Sequence, residues 1–483
     1  MAQGRDGNLY GTLPGNGPGG GGTVYTITPA GAFNVIFNFN SAGTDGYGPS
    51  SGLTLGIDGN FYGATLTAGA NGFGTLFKVT PAGVLTTLHN FTSTEIGFPY
   101  GPPVMGKNGI FYGVTHYGKA WSITQSGNFK LLPNPTPGDS RAPLTAASDG
   151  NFYGTTINGG TGNGTVFQMS TAGKIKIIYN FDNTHGAKPI GPVIQGSDGY
   201  LYGTASTGGS IPNAFGVMFK LSTKGVITVL HEFDSTSTTD GCEPLGGLVE
   251  AVDGNFYGTT YTGPGPHGHG VLFKMTKTGT YTVLHIFDTA TGWVPATTAM
   301  QNTNGIIYGE TLTGGFSFNG VFYSLNAGIS PFVSLVGYPA ASAGKSFGIL
   351  GQGLSGTTSV KFGSGSATFN VVSDTYMTAV VPTSGTTGTV TVTTSGGTRK
   401  SKQVFKVIPM LKTFSPTSGP VGTQVTITGS GFTGASKVTF GGVKATTYTV
   451  DSGTQITAIV PAGAVTGKIA VTTTGGTASK GIL

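Results

Sequence analysis

The residues best placed to do chemistry in this 483-residue chain are few, and most stand alone. His267 and His269 lie two apart, a spacing at which two imidazoles could share a metal at a loop. No third ligand accompanies them, and the surrounding glycines and prolines read as a loop tip, so neither a metal nor any other cofactor is expected. Glu250 is the one carboxylate at a recurring position filled elsewhere by Gln3, Leu55, Met105, Ala146, Gln195 and Gln301. A hard cation takes about six to eight oxygen ligands, and a single carboxylate argues against metal-dependent hydrolysis. His89, His231 and His285 share a position occupied in other repeats by Phe37 and Tyr179, which predicts packing rather than ligation. The chain has no GxSxG, no phosphate loop and, with Cys242 alone, no paired-cysteine site. No catalytic residue is assigned.

Binding residues are easier to nominate. A proline recurs as Pro49, Pro99, Pro189, Pro244 and Pro295, and just ahead of it stand Tyr47, Phe98, Lys188, Glu243 and Trp293. A fixed frame with varied tips is what a recognition surface needs. His116 and Tyr117 lie where one repeat is cut short: nine residues separate Tyr112 from Trp121, against 14 to 17 at the same place elsewhere. A shortened wall there would open a groove in which exposed aromatics stack on sugar rings.

These positions count from a tyrosine that recurs at 10, 62, 112, 153, 202, 257 and 308. A period near fifty with one supersecondary unit per period is the mark of a propeller or solenoid, whose units bury their faces only against each other. In the sixth repeat four strands are expected at 248–252, 255–260, 271–275 and 281–287. Asp253-Gly254 and its equivalents supply the tight turn between the first two. Both short turns then fall on one face, and the long, variable connections fall on the other. Each tyrosine is followed by glycine, and an aromatic from the third strand is expected over the gap: Tyr25, Phe77, Trp121, Phe167, Phe219, Phe273 and Phe322. The seventh repeat has no clear fourth strand; Ile329 to Val336 is the candidate to supply it.

Composition agrees with an all-β, turn-rich chain. There are 87 glycines and 9% charged residues, while 37% hydrophobic residues suffice to fill cores. Charge is uneven. Residues 1–329 hold 13 basic and 16 acidic side chains, a net −3; residues 330–483 hold 11 and 2, a net +9. Lysines spread along exposed strands account for that excess without a nucleic-acid partner. No apolar run is long enough to span a membrane, and Met1 to Arg5 has no apolar signal core. The chain begins within a repeat, which predicts a mature or truncated form of an exported protein.

Repeats such as DGNFYGTTINGGTGNGTVFQMSTAGKIKIIYNF (149–181) resemble the GloVer tandem repeat of bacterial surface and secreted proteins. They are more distantly similar to the NHL and virginiamycin B lyase class of propeller blades. The resemblance implies a seven-bladed propeller over 1–328 and an extracellular setting, and supplies no catalytic residues. Beyond it a second repeat pairs 351–363 with 429–441. FSPTSGPVGTQVTITGSGF (414–432) resembles the IPT/TIG immunoglobulin-like fold, whose members serve as spacers and interaction modules.

The expected architecture is all-β: a seven-bladed propeller of four-stranded blades over 1–328, then two immunoglobulin-like sandwiches over 329–408 and 409–483, the second lacking a counterpart of Val404 to Val407. The expected function is a secreted or cell-surface, non-catalytic binding or adhesion protein with a glycan or cell-surface ligand on the long-loop face. The alternatives are a polysaccharide- or lactone-directed lyase or hydrolase at the channel mouth near Glu250 and His116, and a structural display scaffold.

Overall fold

The computed structural model describes every residue except 16, 17, 42, 50, 51, 96, 264–267, 316–318, 482 and 483. The chain divides into two compact units, Met1–Ser330 and Pro331–Leu483. Among the described residues every regular element is a strand apart from one short 3-10 turn, and no helix is long and apolar enough to cross a membrane.

The first unit is a propeller of seven antiparallel sheets, each a simple meander in chain order. The sixth shows the plan, with strands Val249–Glu250, Phe256–Thr259, Val271–Met275 and Tyr281–Ile286. The second sheet gains an extra strand, Tyr47–Pro49, paired to Phe61–Thr67. Among the described residues the seventh has three: Met300–Gln301, Ile307–Glu310 and Phe322–Leu325. Ile329 to Val336 does not complete it. Ser334–Leu335 pairs instead with Leu350 and Ile349 in the second unit, and Ile329 packs on the cluster around Tyr257 and Ile307.

The recurring tyrosine builds the seams. Its ring packs on the residue before the tyrosine of the next blade: Tyr10 on Phe61 (centroids 4.1 Å apart), Tyr62 on Phe111 (4.3 Å), Tyr112 on Phe152 (4.6 Å) and Tyr202 on Phe256 (4.1 Å). Burying each such ring contributes about 2–3 kcal/mol. The same contact closes the ring, because Tyr308 shares a core with Leu9. Closure therefore needs no fourth strand in the last blade.

The glycine after each tyrosine is a close approach. In six blades it pairs with the expected aromatic, and a Cβ on Gly154 would sit 2.5 Å from the Phe167 ring. In the seventh blade the partner is Tyr323, not Phe322, since Gly309 pairs with Tyr323 in register.

The second unit holds two sandwiches of matching topology. Ser334–Leu335, Ser346–Leu350, Tyr376–Val380 and Phe369–Ser373 form one sheet of the first; Met410–Ser415, Gln424–Ser430, Gln455–Ile459 and Tyr448–Ser452 form its equivalent in the second. Alternating residues of each sheet meet in separate cores, around Phe362 and Phe405 and around Ile427 and Phe440. The last strand of the second sandwich is present as Gly476–Lys480, against Gly397–Ile408 in the first.

Candidate functional site

The tight-turn face repeats one network in blade after blade. In the sixth, Gly254 takes φ 83° and donates to the Ala251 carbonyl at 3.0 Å. Asp253 then accepts from the Asn255 backbone (3.1 Å), the Asn255 amide (2.8 Å) and the Tyr257 hydroxyl (2.9 Å). Burial would raise the Asp149 carboxyl, but hydrogen bonds from Asn151, Tyr153 and Gln168 outweigh it and hold the group below the ordinary carboxylate value. Tyr153 is correspondingly pushed up to about 12, by burial first and by Asp149 second.

Glu250 belongs to this face and not to a channel mouth. Its position is an interblade latch, in which a side-chain oxygen accepts from the turn of the preceding blade. Gln195 accepts from the Ser148 N–H at 2.7 Å, Gln301 from Val252 at 3.0 Å, and Gln3 from Thr303 at 3.0 Å across the closing seam. Glu250 accepts from the Ser197 backbone at 3.1 Å and from its hydroxyl at 2.8 Å, and Lys277 neutralises it at 2.9 Å. It is 3% exposed. A carboxylate so fully engaged is built into the wall of the ring.

On the opposite face the residues ahead of the recurring proline act first through their backbones. Phe98 (φ 62°), Lys188 (52°), Glu243 (56°) and Val294 (62°) are all left-handed, a conformation costing a non-glycine residue about 1–2 kcal/mol. Each spans two blades: its N–H donates to the previous blade's loop, at Phe73, Asn163, Phe215 and His269, and its carbonyl accepts from its own, at His116, Ser206, Tyr261 and Leu312. The variable side chains are thus carried on a conserved staple geometry. Exposed Tyr47 and Trp293 stand one residue earlier, paired with Thr67 and Thr313. Tyr47, Lys188, Glu243 and Trp293 lie in four different blades, and among the described residues no hydrogen bond, ion pair or ring contact joins any two of them. Trp293 packs edge-on against His269 at 4.5 Å; its expected companion His267 lies outside the described residues. His89 and His231 stack on Phe129 (3.6 Å) and Tyr281 (4.0 Å) and pair with Glu95 and Asp240.

What does converge is the third blade. Thr115 to Lys119 closes in one tight turn, with the Gly118 N–H on the Thr115 carbonyl and the Thr115 N–H on that of Lys119. The turn leaves a continuous line of ring contacts from Phe73 to Phe98 (6.1 Å), Tyr117 (6.0 Å), His116 (4.7 Å) and Tyr100 (5.1 Å). Tyr117, at the middle of the line, is 55% exposed. The fourth blade adds polar groups to the same place. Ser140 donates its N–H to the His116 carbonyl, and Asp139 Oδ2 lies 3.9 Å from His116 Nε2. Asn158 braces Asp139, accepting its N–H at 2.8 Å and donating to its carboxylate at 3.1 Å. Burial lowers the His116 pKa, Arg141 adds to the lowering, and Asp139 partly offsets both.

Tyr100, Asp139, Arg141 and Asn158 escaped the sequence reading. A signal existed: the fourth repeat has Ser140 where five others have proline, and Arg141 follows it where the others carry Ser50, Tyr100, Ile190, Leu245 and Ala296. Nothing in spacing alone indicated that this departure faces His116 from the neighbouring blade. The arrangement offers an aromatic platform with a cation, a carboxylate and an amide at its edge, suited to holding a polar ring by stacking and hydrogen bonds.

The comparisons agree with the architecture. The Gloeobacter/Verrucomicrobia repeat family matches residues 1–136 and 121–323, and the IPT/TIG domain matches residues 409–482. No curated protein matches the chain. Among solved structures it is similar to a catalytically inactive virginiamycin B lyase from Staphylococcus aureus with quinupristin: 18% identity, 62% of this chain and 90% of that one covered, TM-score 0.44. It is also similar to a fungal alcohol oxidase of the AA5 family in complex with copper (16%, 83% and 94%, 0.46). A third is a surface glycan-binding protein from Prevotella bryantii (20%, 32% and 38%, 0.23). At these identities and TM-scores none of the three bears on what this chain binds. The repeat match, with the seven sheets it covers, establishes that the chain belongs to the Gloeobacter/Verrucomicrobia repeat family and carries an IPT/TIG domain at residues 409–482.

Proposed function

We propose that this is an extracellular or cell-surface binding protein that adheres to glycans through the long-loop face of its propeller, at the third blade. On this reading 1–328 is the binding module, and 329–408 and 409–483 are two spacer modules. A propeller followed by an IPT/TIG domain fits a binding or scaffold protein. The observation that carries the finer reading is the ring line that exposes Tyr117 at its middle and continues to His116, which Asp139, Asn158 and Arg141 approach from the next blade. Sugars present a C–H face to an aromatic ring and hydroxyls to flanking polar groups, and this site supplies both. A display scaffold would have no use for such a cluster.

The test is a glycan array with the intact chain, with and without chelator, beside Tyr117→Ala. Selective binding that is indifferent to chelator and lost in the variant supports the reading. Binding unchanged in Tyr117→Ala sinks the site.

A lyase or hydrolase built on Glu250 and His116 together is not supported, since the two residues serve opposite faces. His116 with Asp139 is the pair on which an enzyme reading would rest. Turnover of a bound glycan, abolished by Asp139→Asn, would favour it over adhesion.

A further inference from the structure

We infer that the third-blade site selects a hexuronate, a sugar ring bearing a carboxylate, with Arg141 as its anion ligand; the inference rests on the glycan reading above and narrows it. Arg141 is exposed, and among the described residues its guanidinium makes no hydrogen bond or ion pair. It is also out of character with its surroundings. The equivalent loop position elsewhere is Ser50, Tyr100, Ile190, Leu245 or Ala296, none of them charged, and residues 1–329 carry a net −3. Arg141 and Lys119, the latter in the same turn as Tyr117, are the positive charges an anionic ligand would meet on this part of the face. A planar guanidinium presents two parallel donors, which a carboxylate accepts in matching geometry.

The remaining groups orient the ring. His116 Nδ1 is buried with no hydrogen-bond partner among the described residues, so the stable tautomer keeps its proton on Nε2. Nε2 lies 3.9 Å from Asp139 Oδ2. The gap is too long for a direct hydrogen bond, yet a hydroxyl seated against both would accept from His116 and donate to Asp139. Asp139 repels a carboxylate from this side, which leaves the sugar's acid group turned toward Arg141. Tyr117 supplies the face on which the ring lies. Three contacts thus specify three features of one residue: an apolar face, a hydroxyl and a carboxylate.

The test uses the full chain and three probes: an oligogalacturonate, its methyl ester and dextran sulfate, measured by calorimetry in moderate salt. The wild-type protein is expected to prefer the free acid over the ester. Arg141→Gln is expected to lose about tenfold on the acid and little on the ester, the scale of one charge-assisted contact. Tyr117→Ala should lose both. Because the lysines of residues 330–483 act equally on every variant, the acid-to-ester ratio isolates the site. An unchanged ratio in Arg141→Gln overturns the hexuronate inference, while binding that still depends on Tyr117 preserves the glycan reading. Dextran sulfate bound as tightly as the acid, with the same dependence on Arg141, also overturns it in favour of general anion binding. If neither substitution alters binding to any probe, the glycan reading itself fails.

Discussion

The two faces of the propeller are made from the same seven repeats by different rules. On the tight-turn face each blade spends its polar side chains on itself and on the preceding blade: aspartate to tyrosine hydroxyl, glutamine or glutamate to a neighbouring turn. These bonds leave little free to meet a ligand. On the long-loop face the blades are joined through backbone atoms, the N–H and carbonyl of Phe98, Lys188, Glu243 and Val294. A backbone staple works with any side chain that tolerates its left-handed conformation, so the side chains there are released from structural duty. The contrast explains how a ring of near-identical units can hold one distinctive site. It also explains why Glu250, the most suggestive carboxylate in the sequence, is a latch.

The contrast can be broken most severely in the seams. Gly154→Val should destabilise the propeller by about 3 kcal/mol, because the added atoms collide with Phe167 and Leu144 in a packed core; the shift in a chemical denaturation midpoint reads this. Glu250→Ala should cost about 2 kcal/mol by removing its charge-assisted bonds to the Ser197 N–H and hydroxyl and to Lys277, whereas Glu250→Gln should restore most of that, as Gln195 and Gln301 do the same work in their own blades. Equal losses in the two variants would contradict the latch. Tyr117→Ala sits at the other extreme: a stability change within about 0.5 kcal/mol, accompanied by loss of glycan binding. A large drop in its unfolding midpoint would show that the exposed ring is structural after all.

Acid should separate the faces as well, with smaller effects. The His116 pKa is lowered in the folded protein. Above the ordinary value of 6.5 both states are neutral there. As pH falls through 6.5 the unfolded chain takes up a proton that the folded site resists, so stability declines, and His116→Gln should flatten that decline. Asp149 and Asp198 act in the same direction but at lower pH. Their carboxyls are held low: hydrogen bonds from Asn151 and Tyr153, and from Lys220 and Tyr202, outweigh a burial effect that would raise them. Their contribution is complete above the ordinary value of 3.8 and is lost as pH drops below it. Unfolding curves measured between pH 7 and 3 should therefore bend twice for the wild-type protein, and the upper bend should weaken in the His116 variant.

The sequence by itself determined the repeat, the strands, the hairpin turns and which connections would be long. Each depends on neighbours in the chain: Asp-Gly sets a turn, alternation sets a strand, and glycine after tyrosine leaves room for an aromatic one strand over. It also singled out the third blade, since a missing stretch of loop is visible as a count of residues. Where it erred, the deciding contact came from a partner strand, in the same blade or beyond it. Phe322 gave way to Tyr323 because pairing register is set by the partner strand, and 329–336 could not finish the seventh sheet because Ser334 and Leu335 had a partner beyond it. The rim candidates were chosen from equivalent positions, and equivalence in a ring places residues apart. Only the tertiary structure could bring Arg141 and Asp139 to His116, across a seam between blades, because a side chain's neighbour there is fixed by packing of whole sheets and leaves no trace in local spacing.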